Sequence, residues 1–271
     1  MNRREFIGMG AMAAIGAATG CRTSDPEPLA LDGIRIGVQM YSVSELWKRN
    51  PAAAFKRFKA MGFDGVQSVQ FFLMKPVELE KMLLENGLQI VDMPFRKSFV
   101  TPEKFNEFVE FCQRFKVDFV FHPYEKSTSA DEWHNHSKWL LELGEKFRPY
   151  GIRVGYHNHR HEFTERYDGK RPIEFLYEAG IPMELDVGHV KLAKEDPIAW
   201  LNQLKGRVPS IHAKPAGGNT IGGREDANDW KAIFAAAAAA GTKWAVVECE
   251  TRRDTYEDVE ESMKFLKGMK A

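Results

Sequence analysis

Residues 152–163 read Ile-Arg-Val-Gly-Tyr-His-Asn-His-Arg-His-Glu-Phe, a short apolar run that ends in three histidines and a glutamate. On a strand every second side chain faces the same way. Gly155 and His157 therefore share one side, and His159 joins them if the strand runs on. Imidazole binds divalent metals and moves protons near neutral pH, so the run is a candidate for either task. For each residue taken alone, a polar loop around one buried histidine is the competing reading.

Three further runs of strand length share the pattern. Ile-Pro-Met-Glu-Leu-Asp-Val-Gly-His carries Asp186 and His189, Val-Pro-Ser-Ile-His-Ala-Lys carries His212 and Lys214, and Trp-Ala-Val-Val-Glu ends in Glu248. Each is followed by a helical pattern, and each sets an oxygen or nitrogen ligand where the strand stops.

The rest of the chain reads as the scaffold that brings these ends together. Strand candidates begin near Ile34, Phe63, Leu88, Val117, Ile152, Pro182, Val208 and Lys243. Helical patterns fill the intervals at 51–61, 76–85, 102–115, 130–150, 172–178, 197–204, 228–240 and 255–267. Several open with Pro in the first turn or with an Asn, Asp or Thr cap. Gly62, Gly87, Gly151, Gly180, Gly206 and Gly241 stand where those helices should stop.

Strand–helix units of about 30 residues, repeated along the chain, predict a (β/α)8 TIM barrel forming a single domain over 34–271. A doubly wound open sheet would want a glycine-rich phosphate turn after the first strand, and Gly37-Val38-Gln39-Met40-Tyr41-Ser42 is not one. Barrel chemistry sits at the C-terminal ends of the strands. His157, Asp186, His212 and Glu248 all fall there, on strands five to eight. Gly217-Gly218 and Gly222-Gly223 follow the seventh strand and read as a flexible loop.

The amino terminus reads as an address. Arg3-Arg4 precedes an uncharged, Gly- and Ala-rich run to Gly20, a twin-arginine pattern too short for a comfortable membrane span. Ala18-Thr19-Gly20-Cys21 resembles a lipobox, and a signal-peptidase site with an incidental cysteine is the alternative. Residues 1–21 are thus expected to be an export signal and 22–33 a linker. The expected location is the periplasm, with a membrane tether if Cys21 is lipidated. Lys+Arg and Asp+Glu number 38 each, so no basic excess exists to hold nucleic acid. Cys112 and Cys249 read as ordinary buried thiols.

Several motifs resemble those of the sugar phosphate isomerase/epimerase family, the xylose isomerase-like barrels that include the endonuclease IV type. They are Gly37-Val38-Gln39-Met40-Tyr41-Ser42, Gly62-Phe63-Asp64-Gly65-Val66, Gly155-Tyr156-His157-Asn158-His159, Glu184-Leu185-Asp186-Val187, the His212-x-Lys214 pair, and Asp229-Trp230-Lys231-Ala232-Ile233 leading to Val247-Glu248. The resemblance covers essentially everything after Leu31. It implies one divalent ion held by Glu, Asp, His and Glu from strands five to eight. Carried over by position, Asp186, His212 and Glu248 match as ligands, and His157 takes the place of the fifth-strand glutamate. Mn, Co, Zn, Fe, Ni or Mg would serve, and the strand-five ligand is open among His157, His159 and Glu162. His159, Glu248 and Lys214 are the catalytic candidates. Tyr41, Gln67, His122, Glu162 and His189 are expected around the substrate.

The departures shape the expected reaction. Two-base epimerisation in the family uses paired glutamates from strands five and eight, and His157 replaces one. Gln67 stands where relatives often carry Glu and cannot be a base. Val91-Asp92-Met93-Pro94 lacks the histidine that relatives often show, which counts against the multi-metal endonuclease reading. The expectation is metal-dependent isomerase or epimerase chemistry through an enediolate, on non-phosphorylated sugars or keto-sugars. A 3-keto-glycoside lyase or hydrolase is the first alternative, and an exported non-catalytic sugar-binding barrel the second.

Overall fold

In the computed structural model, which describes residues 30–250 and 255–269, parallel strands follow one another round a barrel. They are β1 (Ile34–Gln39), β2 (Gly65–Gln67), β3 (Gln89–Ile90 with Met93–Pro94), β4 (Phe119–His122), β5 (Arg153–His157), β6 (Met183–Asp186), β7 (Ser210–Ala213) and β8 (Trp244–Val247). Each pairs with the next in sequence, and β8 returns to β1. The first piece of β3 pairs with β2 and its second piece with β4, which completes the ring. The export signal, Cys21 and most of the linker lie outside the described residues. The linker's end does not: Ala30–Leu31 pairs antiparallel with β1 through a tight turn at Asp32-Gly33, both with positive φ.

The helices lie where periodicity puts them, at Pro51–Met61, Pro76–Asn86, Phe105–Arg114, Ala130–Phe147, Pro172–Glu178, Pro197–Gln203, Trp230–Ala240 and Glu257–Met269. Three start two or three residues late, at Phe105, Trp230 and Glu257, and the first two have local causes. Thr101 accepts from the Lys104 and Phe105 amides in a turn, and Asp229 caps through the Ala232 amide. All six glycines expected as helix stops have positive φ.

Outward-facing strand residues such as Ile36, Val38, Leu185, Ile211 and Val247 pack with Phe58, Leu79, Phe108, Trp200 and Phe234 into the main apolar core. Inside the barrel, Val91, Trp244 and Val246 form a small separate cluster. Glycine makes the room for this filling. A Cβ on Gly155 would come within 2.4 Å of the Pro182 carbonyl and 2.6 Å of the Phe119 ring. A Cβ on Gly37 would meet Val91 at 2.5 Å. The lower barrel is thus plugged by large side chains, and the upper barrel is left to polar ones.

Candidate metal centre and substrate cavity

Register builds the site. His157 is the lateral partner of Glu184, and Asp186 that of His212. Lateral partners on neighbouring parallel strands face the same side about 4.8 Å apart. Glu184 and Asp186 also share a face, being two residues apart on β6. Four side chains from three strands are thereby directed into the barrel mouth, and all are buried.

His212 sits at the centre. Its Nε2 lies 2.9 Å from Gln67 Oε1 and 3.1 Å from Glu184 Oε2, and its Nδ1 lies 2.8 Å from Glu248 Oε2. Burial opposes a charge on this ring, but Glu184 and Glu248 push its pKa well above the ordinary imidazole value. Burial likewise opposes ionisation of Glu184, yet His212 and His157 hold it down to about 2. Glu248 is lowered too, against burial, by His212 and then Lys214.

Beneath this layer a polar column enters the barrel. Gln67 Nε2 donates to Glu184 Oε1 and to Asp92 Oδ1, each at 2.5 Å, and Ser210 Oγ donates to Asp92 Oδ2 at 2.5 Å. Burial, then the nearby Glu184, raises the Asp92 pKa well above the usual carboxylate range. Asn158 clamps the end of β6, accepting from the Asp186 amide at 3.0 Å and donating to its carbonyl at 3.3 Å.

The residues present fit a divalent ion. One ligand atom each from His157, Asp186 and His212 lies within 4.8 Å of the other two. Asp186 Oδ2 is buried without a hydrogen-bond partner among the described residues, and His157 Nδ1 faces the Glu184 carboxylate at 3.1 Å. A buried acceptor left so is costly, by about 1–3 kcal/mol, and a cation beside it removes the cost. Asp186 is prepared for this: its Oδ1 accepts from the His189 amide at 2.8 Å, capping the helix Val187–Leu192, while Oδ2 makes no hydrogen bond among the described residues and has His189 Nε2 at 3.8 Å and His212 Nδ1 at 3.9 Å. Glu248 reaches the group through His212.

Above lies a cavity of about 570 Å³ whose wall includes Gln39, Tyr41, Trp47, Tyr124, His159 and Glu248. Amides, hydroxyls and aromatic faces are the usual complement of a sugar. β5 ends at His157, so His159 belongs to the following loop, yet its ring stands 4.9 Å from that of His157. Burial and then His157 lower the His159 pKa to about 2, so the ring is neutral.

The other expected site residues fall in different places. Tyr41 lines the cavity, and Gln67 lies below it in the polar column. Lys214 is buried, 2.5 Å from Glu250 and 3.3 Å from His189 Nε2. Burial favours its neutral form, but Glu248 and Asp186 raise its pKa, so it is an ammonium that balances carboxylates and not a base. His189 lies behind His159, with ring centroids 5.1 Å apart. Two assignments need correction. Phe121 occupies the inward position at the end of β4, so alternation turns His122 outward against His136 and Trp139. Glu162 also faces away from the cavity, accepting from Tyr156 Oη at 2.6 Å and the His159 amide at 2.8 Å. It holds the loop that presents His159. Cys112 and Cys249 are free and buried, as expected.

An eight-stranded barrel with carboxylates and imidazoles converging at the C-terminal mouth defines the class. The chain belongs to the xylose isomerase-like TIM barrel family, whose sequence pattern matches residues 55–269. It is similar in structure to a sugar phosphate isomerase/epimerase from Parabacteroides distasonis, at 21% identity over 89% of this chain and 96% of that one, with a TM-score of 0.72. It is also similar to a 3-keto-D-glucoside 4-epimerase from E. coli (16% identity, 87% and 99% coverage, TM-score 0.64). A D-psicose 3-epimerase from Clostridium cellulolyticum gives 14% identity, 87% and 98% coverage and a TM-score of 0.64. In sequence, 87 residues are 30% identical to an inosose dehydratase from Lacticaseibacillus casei. That stretch is 31% of this chain and spans only 28% of the relative's length.

Proposed function

We propose that the chain is a divalent-metal-dependent enzyme that removes a proton from the carbon beside a carbonyl, in a non-phosphorylated sugar or keto-sugar. The observation that carries this reading is the convergence of His157, Asp186 and His212 beneath a cavity that also presents His159. These three, with Glu248, would hold the ion. When bound, it would act as a Lewis acid on the carbonyl and the neighbouring hydroxyl.

The chain's own residues supply the remainder. Tyr41, Trp47 and Tyr124 give the ring of the sugar aromatic faces to lie against. His159 is unprotonated in the resting site and accepts the proton as the C–H bond breaks. The electron pair moves towards the carbonyl oxygen, and the negative charge that develops there stabilises the imidazolium being formed. Glu162 fixes the backbone of His159 at the required place. Gln67 orients His212 from below.

Return of the proton at the neighbouring carbon or on the opposite face would give isomerisation or epimerisation. A second reading is elimination of the group next to the acidified carbon, as in a keto-glycoside lyase. It is favoured by the imidazole at the end of β5, which leaves no facing pair of acids there for two-base exchange. The name of the partial relative, inosose dehydratase, is in keeping with it. The twin-arginine pattern supports an exported protein that meets free rather than phosphorylated sugars. Incubating the Mn2+- or Co2+-loaded protein with ketoses, aldoses and 3-keto-glycosides tests the proposal. New epimers or isomers support the first reading and a released aglycone the second. No conversion of any of them contradicts both.

A further inference from the structure

A second cluster lies on the outer side of the barrel wall. His122 ends β4 facing the helix Ala130–Phe147, which contributes His136, and Glu125 follows in the loop. One ligand atom from each of the three lies within 4.8 Å of the others. His136 Nδ1 is 3.0 Å from Glu125 Oε2, and the two imidazole rings are 5.1 Å apart. His122 and His136 are only 7% and 5% exposed, and His122 Nδ1 and His136 Nε2 have no hydrogen-bond partner among the described residues. The mechanism above uses none of these groups.

We propose that His122, Glu125 and His136 form a second site for a divalent transition ion of the zinc class, separate from the barrel mouth. Two imidazoles and one carboxylate are a donor set that Zn2+ accepts, with a further position open. The ligands come from a strand end, a loop and a helix, so two of the three are held by rigid elements. His122 Nδ1 and His136 Nε2, left without hydrogen bonds, are nitrogens that an ion can take. The Glu125 carboxylate is paired with the Lys97 ammonium 2.7 Å away. Lys97 is 57% exposed along its side chain and can withdraw into solvent as an ion takes over the carboxylate. The open side gives onto a cavity of about 470 Å³ bordered by Lys97, Glu132 and Trp139.

Such an ion would act on the sugar cavity through the loop. The Glu125 amide donates to Tyr156 Oη at 3.0 Å, and its carbonyl oxygen lies 3.1 Å from His161 Nε2. The preceding residue, Tyr124, lines the cavity with its ring 5.3 Å from that of His159. An ion on Glu125 would pin the segment that carries this wall.

The test is zinc stoichiometry in the full chain with the mouth disabled by Asp186→Asn and His157→Gln. After equilibration with Zn2+ and removal of free ion, this protein should hold one zinc per chain, with a raised melting temperature. Adding Glu125→Gln and His136→Gln should abolish both. His122→Gln replaces His136→Gln if circular dichroism shows the latter unfolded. No zinc in the mouth-disabled protein, or zinc retained after the second pair of substitutions, overturns the proposal. Neither result depends on whether the mouth itself binds metal.

Discussion

The rings of His157 and His212 stand 4.5 Å apart, inclined at 61°, with Glu184 Oε2 lying 3.1 Å from a nitrogen of each. The carboxylate is completely buried and sits where a tie between the two rings must be. It positions the candidate ligands rather than touching substrate, because the cavity wall above is made by the histidines themselves.

Glu184→Gln therefore keeps the shape and removes the charge. Metal affinity is expected to fall by about 10- to 100-fold, the usual effect of losing a group that orients metal ligands. Isothermal titration with Co2+ measures it, with circular dichroism to show that the barrel is intact. Unchanged affinity would mean that Glu184 serves only the column below.

His157 and His159 should fail differently. His157→Ala should lower the metal content of the purified protein. His159→Ala should keep the metal and lower turnover by about 10²- to 10⁴-fold, as loss of a general base does. The reverse pattern would show that the two imidazoles have exchanged roles.

Gly155 permits the close approach of β5 to β6 and to Phe119 inside the barrel. Gly155→Ala should destabilise the fold by about 1–3 kcal/mol through overpacking. A urea titration with an unchanged slope and a lower midpoint would record it. An unaltered midpoint would show that Phe119 can move aside without cost.

Much of this molecule is legible in its sequence. Every barrel strand begins within a few residues of the expected position, because caps, stop glycines and apolar runs all mark the same boundaries. The convergence of His157, Asp186 and His212 is legible too, because each stands at the end of a strand-length apolar run. Glu184 stands outside the expected site residues, although its spacing of two from Asp186 on one strand puts it on the same face. Asp92 and Ser210 carry no such signal, since only the closing of the barrel brings β3 to β7. His122 departs from expectation for the opposite reason. A histidine at a strand end looks like a mouth residue until alternation is counted back from Phe121, which takes the inward position.

Export rests on residues outside the described structure. Replacing Arg3 and Arg4 together by lysine should leave the protein in the cytoplasm, as fractionation of cells would show, and unchanged export would contradict the signal. Cys21→Ala should release the protein from the membrane fraction if the cysteine is lipidated.

The central claim is that this barrel uses a bound divalent ion to help His159 take a proton from a sugar carbon. Its most direct measurement is deuterium incorporation from D2O beside the carbonyl of a ketose or 3-keto-glycoside, followed by NMR. The account predicts incorporation by the metal-loaded protein, its loss after chelation, its return on adding the ion, and its absence in Asp186→Asn. Exchange that survives both chelation and Asp186→Asn, or no exchange by the fully loaded protein on any of these sugars, would contradict it.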